Sequence, residues 1–87
     1  MEFVFDLLKS EANAKKHGIN FEEAKKLWLD PNVIMGPADS RTEDRFIVVG
    51  RIGDKVWAAI ITFRGPSIRI ISVRRAQQEE QEVYEHQ

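Results

Sequence analysis

No cysteine occurs among the 87 residues. The chain therefore has no disulfide framework, no thiolate nucleophile and no cysteine-held zinc. Histidine is nearly as scarce. Only His17 and His86 are present, and the second sits in a terminal tail prone to fray, which argues against paired histidines acting as acid and base. The longest apolar run, Val56 to Phe63, falls well short of the about 20 residues that cross a bilayer as a helix. Metal-ligand spacing, phosphate loop and nucleophile elbow are all missing, so any catalysis is expected to be metal-free and cofactor-free, drawing on Arg, Lys, His and carboxylates. Glu2 and Asp6 stand where a secretory leader would be basic and then apolar. A cytoplasmic protein without membrane association is the expectation. No internal repeat or low-complexity segment occurs.

What the chain does contain is charge, unevenly spread. Residues 1–44 carry 6 Lys/Arg and 9 Asp/Glu, residues 45–75 carry 7 against Asp54 alone, and residues 76–87 carry four glutamates and no base. A net charge of −1 thus conceals segments of −3, +6 and −4. Six of the seven bases in the middle segment are arginine (Lys55 is the other), the side chain suited to bidentate binding of phosphate or carboxylate. The acidic tail could equally fold back and neutralise them. With 43% hydrophobic and 31% charged residues the composition is that of a globular protein. At this length about 60–65% of the unfolded chain's surface is buried, which fits one small domain over 1–87.

Local signals predict an α+β fold. Glu2 to Phe5 reads as a short strand. Asp6 caps a helix from Leu7 to His17, expected to turn Leu8 and Ala12 inward, with Gly18 ending it and Ile19 making the closing apolar contact. Asn20 and Glu23 form a capping box for a second helix whose stripe is Phe21, Ala24, Leu27 and Trp28, stopped at Asp30-Pro31. Asn32 to Met35 reads as a short strand and Gly36 to Thr42 as a polar loop. Asp44–Arg51, Lys55–Phe63 and Ser67–Arg74 follow as an antiparallel meander of three strands, four with the short one. The central strand is apolar on both faces, yet two helices cover only one. The tail, 76–87, predicts a third helix with a thin stripe of Ala76, Val83 and Tyr84. Part of the second face is thus expected to lie open as a groove or to be completed by a partner.

The stretch Ile68-Arg69-Ile70-Ile71-Ser72-Val73-Arg74-Arg75 is the point of greatest tension. A β-branched run belongs in a sheet, whereas guanidinium groups are rarely buried without an anion. They are either paired internally or presented to an anionic ligand. In a regular strand Arg74 shares a face with Ile68, Ile70 and Ser72, and Arg69 lies on the other. One groove can hold both only if a bulge or the strand end re-aims one of them. Arg45 opens the neighbouring strand beside Glu43 and Asp44. On the first helix Lys9, Asn13, Lys16 and His17 form a polar stripe of the kind that is more often solvated than functional, and His17 also suits the helix dipole.

The combination of these pieces resembles a known family. Phe3-Val4-Phe5-Asp6, then Asn13-x-x-Lys16-His17-Gly18-Ile19-Asn20-Phe21-Glu22-Glu23-Ala24, then Asp30-Pro31, is similar to the opening of the BrnT family. The likeness continues through an acidic residue before Arg45, Thr62-x-Arg64-Gly65, and Ile68 to Ala76. It implies a small RelE-like domain and a toxin of a type II toxin–antitoxin system, an endoribonuclease that cleaves messenger RNA and arrests translation and growth. It also implies neutralisation by a cognate DNA-binding antitoxin, through which the complex reaches operator DNA. The family's basic residues carry over by position to Lys16, His17, Arg45, Arg69 and Arg74. The arginines would hold the phosphate, Lys16 would assist electrostatically and His17 would serve as general acid or base. The tail departs from the pattern, being acidic from Glu79 to Glu85 where bases are common. That departure supports a second reading, a non-catalytic homologue that binds and co-regulates with its antitoxin.

Overall fold

A computed structural model describes residues 1–87 and has three α-helices against a five-stranded mixed sheet. In chain order these are β1 (Glu2–Val4), α1 (Leu7–His17), α2 (Phe21–Ala24) running into a 3₁₀ turn (Lys25–Leu29), β2 (Ile34–Ala38), β3 (Arg45–Ile52), β4 (Lys55–Arg64), β5 (Ser67–Arg75) and α3 (Gln78–Glu85). The sheet order is β1-β5-β4-β3-β2, antiparallel except for β1, which runs parallel to β5. The expected three or four antiparallel strands thus become five, because the N-terminal strand joins the sheet as a parallel edge. The polar loop expected from Gly36 also starts later. Gly36, Pro37 and Ala38 pair with Ile47, Phe46 and Arg45, and proline is tolerated there because β2 is an edge strand. No helix is long and apolar enough to cross a membrane.

The helix ends follow their local chemistry. The Asp6 carboxylate accepts from the N–H groups of Leu8 and Lys9 at 2.8 and 3.1 Å. Gly18 closes α1 at φ 78°, a conformation that costs glycine little. Asn20 and Glu23 exchange the two bonds of a capping box at 2.8 and 3.1 Å. The second helix is shorter than its apolar stripe suggests, tightening to 3₁₀ at Lys25. Gly50 lets this turn approach β3: a Cβ there would meet Leu27 and Val33 at 3.2 Å.

Each face of the sheet has its own core. Val48, Trp57, Ala59, Ile61, Ile68, Ile70 and Val73 pack against Ile19, Phe21, Ala24 and Leu27 of the helical layer. On the opposite face Val49, Val56 and Ala58 pack against Ala76 and Tyr84. The tail helix is thus seated by Ala76 and Tyr84, whereas Val83, expected inward, points outward. Tyr84 also donates to the Asp30 carboxylate at 2.5 Å, and Asp30 accepts from the backbone N–H groups of Arg51 and Asn32 as well. Burial pushes the Asp30 carboxyl up, but these donors and the Arg51 charge outweigh it and leave it below the usual range. The Tyr84 phenol, buried beside that carboxylate, is raised.

Helix α1 is held differently from expectation. Leu7, Leu8 and Ala12 are exposed, while the buried positions are Ser10 and Asn13. Ser10 Oγ accepts from the Phe21 N–H at 2.9 Å. Asn13 Nδ2 donates to the Ile19 and Val73 carbonyls at 2.9 and 2.8 Å, and its Oδ1 accepts from the Val73 N–H at 3.3 Å. Because β1 covers β5 only from Ser67 to Arg69, the carboxamide acts as a one-residue continuation of the missing neighbour strand. Asn13 therefore belongs to the framework, not to a solvated stripe. Asn13→Ala should leave three buried backbone groups short of a partner and cost about 3 kcal/mol. Chemical denaturation checks this, and a loss below about 0.5 kcal/mol would show that water replaces the carboxamide.

Candidate anion-binding face

The geometry of the site turns on a bulge. Along β4 and β5, Ile60 pairs with Ser72 but Ile61 pairs with Ile70, so Ile71 has no partner. That extra residue reverses the alternation of side chains beyond it. Arg69 pairs with Thr62 and Arg74 with Ala58, four residues apart on one strand and hence on one face. The expectation for a regular strand is therefore corrected. Arg69 and Arg74 share a face, and Ile68, Ile70 and Val73 together face the helices.

On β3 the register continues the same row. Phe46 pairs with Ile61, which sets Arg45 beside Thr62 with Arg69 on its other side. Two guanidinium-bearing residues thus flank one threonine, with Cα atoms about 10 Å apart across three strands. Arg64 lies two residues along β4 from Thr62, on the same face, and lines a cleft of about 390 Å³ with Arg69, Val4, Phe5 and Asp6. Arg74 stands about 13 Å further along the strand, beyond half-buried Ile60, Ile71 and Ser72. The face has a cationic end at Arg45, Arg64 and Arg69, and a second cation near α3.

These arginines differ in their partners. Arg74 Nη1 and Nη2 donate to both Glu80 carboxylate oxygens at 2.7 and 2.9 Å, and Glu80 also accepts from the Gln77 N–H at 2.7 Å. The hydrogen bond from Arg74 holds the Glu80 carboxyl below its usual range against its partial burial, and Glu80 raises Arg74 in return. Arg45 reaches Glu43 only at 3.4 Å, and its Nε is buried with no partner. Arg64 lies 4.0 Å from the other Glu43 oxygen. Arg69 makes no ion pair or side-chain hydrogen bond. Thr62 Oγ1 donates to the Asp44 carbonyl at 2.8 Å, fixing the loop that carries Glu43.

Of the five residues carried by resemblance, the sheet assembles Arg45, Arg69 and Arg74 on one face. Lys16 and His17 end α1, which is tied to the uncovered edge of β5 through Asn13, and neither makes a hydrogen bond or ion pair with any arginine. Two residues of interest lay outside the expectation. Arg64 could have been found from its place two residues after Thr62, and Glu80 from its position three after Gln77, the spacing of a capping box. Beside α3 an apolar groove of about 670 Å³ remains open, lined by Ile34, Met35, Ile47, Val49 and Val83 among others. This is the incompletely covered face that the thin tail stripe predicted. No group of three or more His, Cys, Asp or Glu side chains is placed to hold a metal ion.

Comparison with known proteins places this geometry in a context. Residues 5–80 match the model of the family described as the ribonuclease toxin BrnT of type II toxin–antitoxin systems. No curated protein matches the chain.

The Arg74–Glu80 pair has a measurable acid signature. Its carboxylate titrates below the ordinary value of 4.5, so its contribution is complete above that pH and is lost as pH falls through the folded-state value. Glu80→Gln should cost about 1–2 kcal/mol at pH 7, and the gap to wild type should close between about pH 5 and pH 2. Urea denaturation at a series of pH values reads this directly. A gap independent of pH would remove the pair from the account.

Proposed function

Because the chain belongs to the BrnT family of ribonuclease toxins of type II toxin–antitoxin systems, we propose that it is a metal-independent endoribonuclease working on the arginine face of the sheet. The 2′-hydroxyl of the RNA attacks the adjacent phosphorus as it gives up its proton. The bond from phosphorus to the 5′ oxygen breaks, and that oxygen takes a proton, leaving a 2′,3′-cyclic phosphate and a 5′-hydroxyl. Negative charge builds on the phosphoryl oxygens during this step, and preorganised donors aimed at developing charge are usually the largest contribution to catalysis. Arg45 and Arg69 are suited to that role. The observation that carries the reading is the register that sets Arg69 and Arg45 on either side of Thr62, with the Arg69 guanidinium free of any ion pair.

Lys16 and His17 take a lesser part in this scheme, at the edge of β5. Cleavage of messenger RNA, arrest of translation and a RelE-like fold belong to the same proposal. The partner is a cognate antitoxin, with operator DNA reached only through it. The open apolar groove beside α3 is a candidate surface for that partner. A second reading has one observation in its favour: the tail's own Glu80 holds Arg74. In that reading the chain is a non-catalytic homologue, one toxin-like domain whose acidic tail of 76–87 closes the site.

Purified protein incubated with RNA in the presence of a chelator separates the two. The enzyme reading expects cleavage that survives the chelator and falls about 10²- to 10³-fold in Arg69→Ala, the loss typical of one transition-state donor. His17→Ala should lose less than tenfold, below the about 10²- to 10⁴-fold that a general acid or base contributes. Intact RNA with folded wild-type protein favours the interaction module, and cleavage unaffected by Arg69→Ala assigns the site elsewhere.

A further inference from the structure

Two of the acids near these arginines, Glu80 and Glu43, are held in opposite ways. Glu80 meets Arg74 with two short parallel bonds, and both of its oxygens are used. Glu43 spans two arginines instead, one oxygen 3.4 Å from Arg45 Nη2 and the other 4.0 Å from Arg64 Nη2. Charge-assisted bonds between guanidinium and carboxylate settle at about 2.7–2.9 Å, so the first pair is made and the second is only approached. Glu43 also rides on residues 39–44, which have no regular secondary structure, although Thr62 pins the end of that segment through the Asp44 carbonyl. Arg45 Nε remains buried without an acceptor beside it. An acceptor whose oxygens are not confined to one plane would serve this cluster better.

We propose that Glu43 is an internal stand-in for a phosphate group, and that a phosphate of the ligand displaces it to sit between Arg45 and Arg64, with Arg69 closing the third side. Arg64 is thereby a phosphate-binding residue of the face. It is the link in the cluster, sharing Glu43 with Arg45 and a cleft with Arg69. A tetrahedral phosphate directs its oxygens out of a single plane and so can meet guanidinium forks on three sides, a geometry that one planar carboxylate does not offer. Arg74 stays with Glu80 and contributes little to this subsite. The proposal rests on reading the face as phosphate-binding but does not require that RNA is cut.

Two probes test it on the full chain: inorganic phosphate, followed at the arginine Nε–H resonances, and a 2′-O-methyl RNA hexamer that cannot be cleaved, followed by fluorescence anisotropy. Phosphate should move the Arg45, Arg64 and Arg69 signals and leave Arg74 in place. Glu43→Gln should bind the hexamer about threefold more tightly at low salt, the scale of one exposed ion pair removed. Arg64→Ala should bind it about tenfold more weakly, with the slope of log affinity against log salt reduced by about 0.7. Both side chains are partly exposed, and unchanged melting temperatures confirm that the fold is kept. Glu43→Gln binding equally or more weakly overturns the proposal, as does phosphate acting on Arg74 while sparing Arg45 and Arg64. Phosphate binding without any cleavage of ordinary RNA refutes the nuclease reading and leaves the displacement standing.

Discussion

One unpaired residue, Ile71, decides how the basic segment of this protein is displayed. Without it, Arg69 and Arg74 would point to opposite sides of β5, one of them into the packed layer of Phe21, Ala24 and Leu27, where an unpaired guanidinium is prohibitively costly. With it, every apolar residue needed by the helical core, Ile68, Ile70 and Val73, faces inward on both sides of the irregularity, and the cations face outward together. Burial and charge display are satisfied by the same extra residue. The bulge thus keeps Val73 in the helical core and brings Arg74 onto the face of Arg45, Arg64 and Arg69 in one step.

The remaining architecture supports that strand. Asn13 supplies the hydrogen bonds β5 loses where β1 stops, so α1 is attached through its polar face and its leucines stay in solvent. Helix α3 covers the β3–β4 half of the open face through Ala76 and Tyr84, fastened at one end by Arg74–Glu80 and at the other by Tyr84–Asp30. What it leaves uncovered is the end where Arg45, Arg64 and Arg69 converge, together with the apolar groove along β2. A nominally near-neutral chain thereby gathers three arginines at one end of a sheet, two of them on either side of Thr62.

The parts of the fold that depend on local chemistry were readable in advance. Asp6, Gly18, Asn20 and Glu23 act within a turn of themselves, so their caps follow from composition and spacing alone. Features set by pairing across the chain were not. Ile70-Ile71 looks like uninterrupted strand, and only its register against Ile60-Ile61 makes one residue redundant. Leu8 reads as core because it is apolar, but α1 docks by Ser10 and Asn13, whose partners lie 11 and 60 residues away. The three sheet arginines were legible as a group from their density. That Arg74 is taken by Glu80 while Arg69 is free depends on where α3 lands, which no local pattern contains.

The central claim is that the anionic ligand lies on the arginine face and not along α1. Backbone amide shifts on adding a non-cleavable RNA oligonucleotide to isotopically labelled protein test it most directly. The account predicts perturbations along the row Arg45, Thr62 and Arg69 and at the neighbouring Arg64 and Ser72, fading towards Phe21 and Leu27 on the far side. Shifts centred on Lys16 and His17, with the strand residues unmoved, would contradict it.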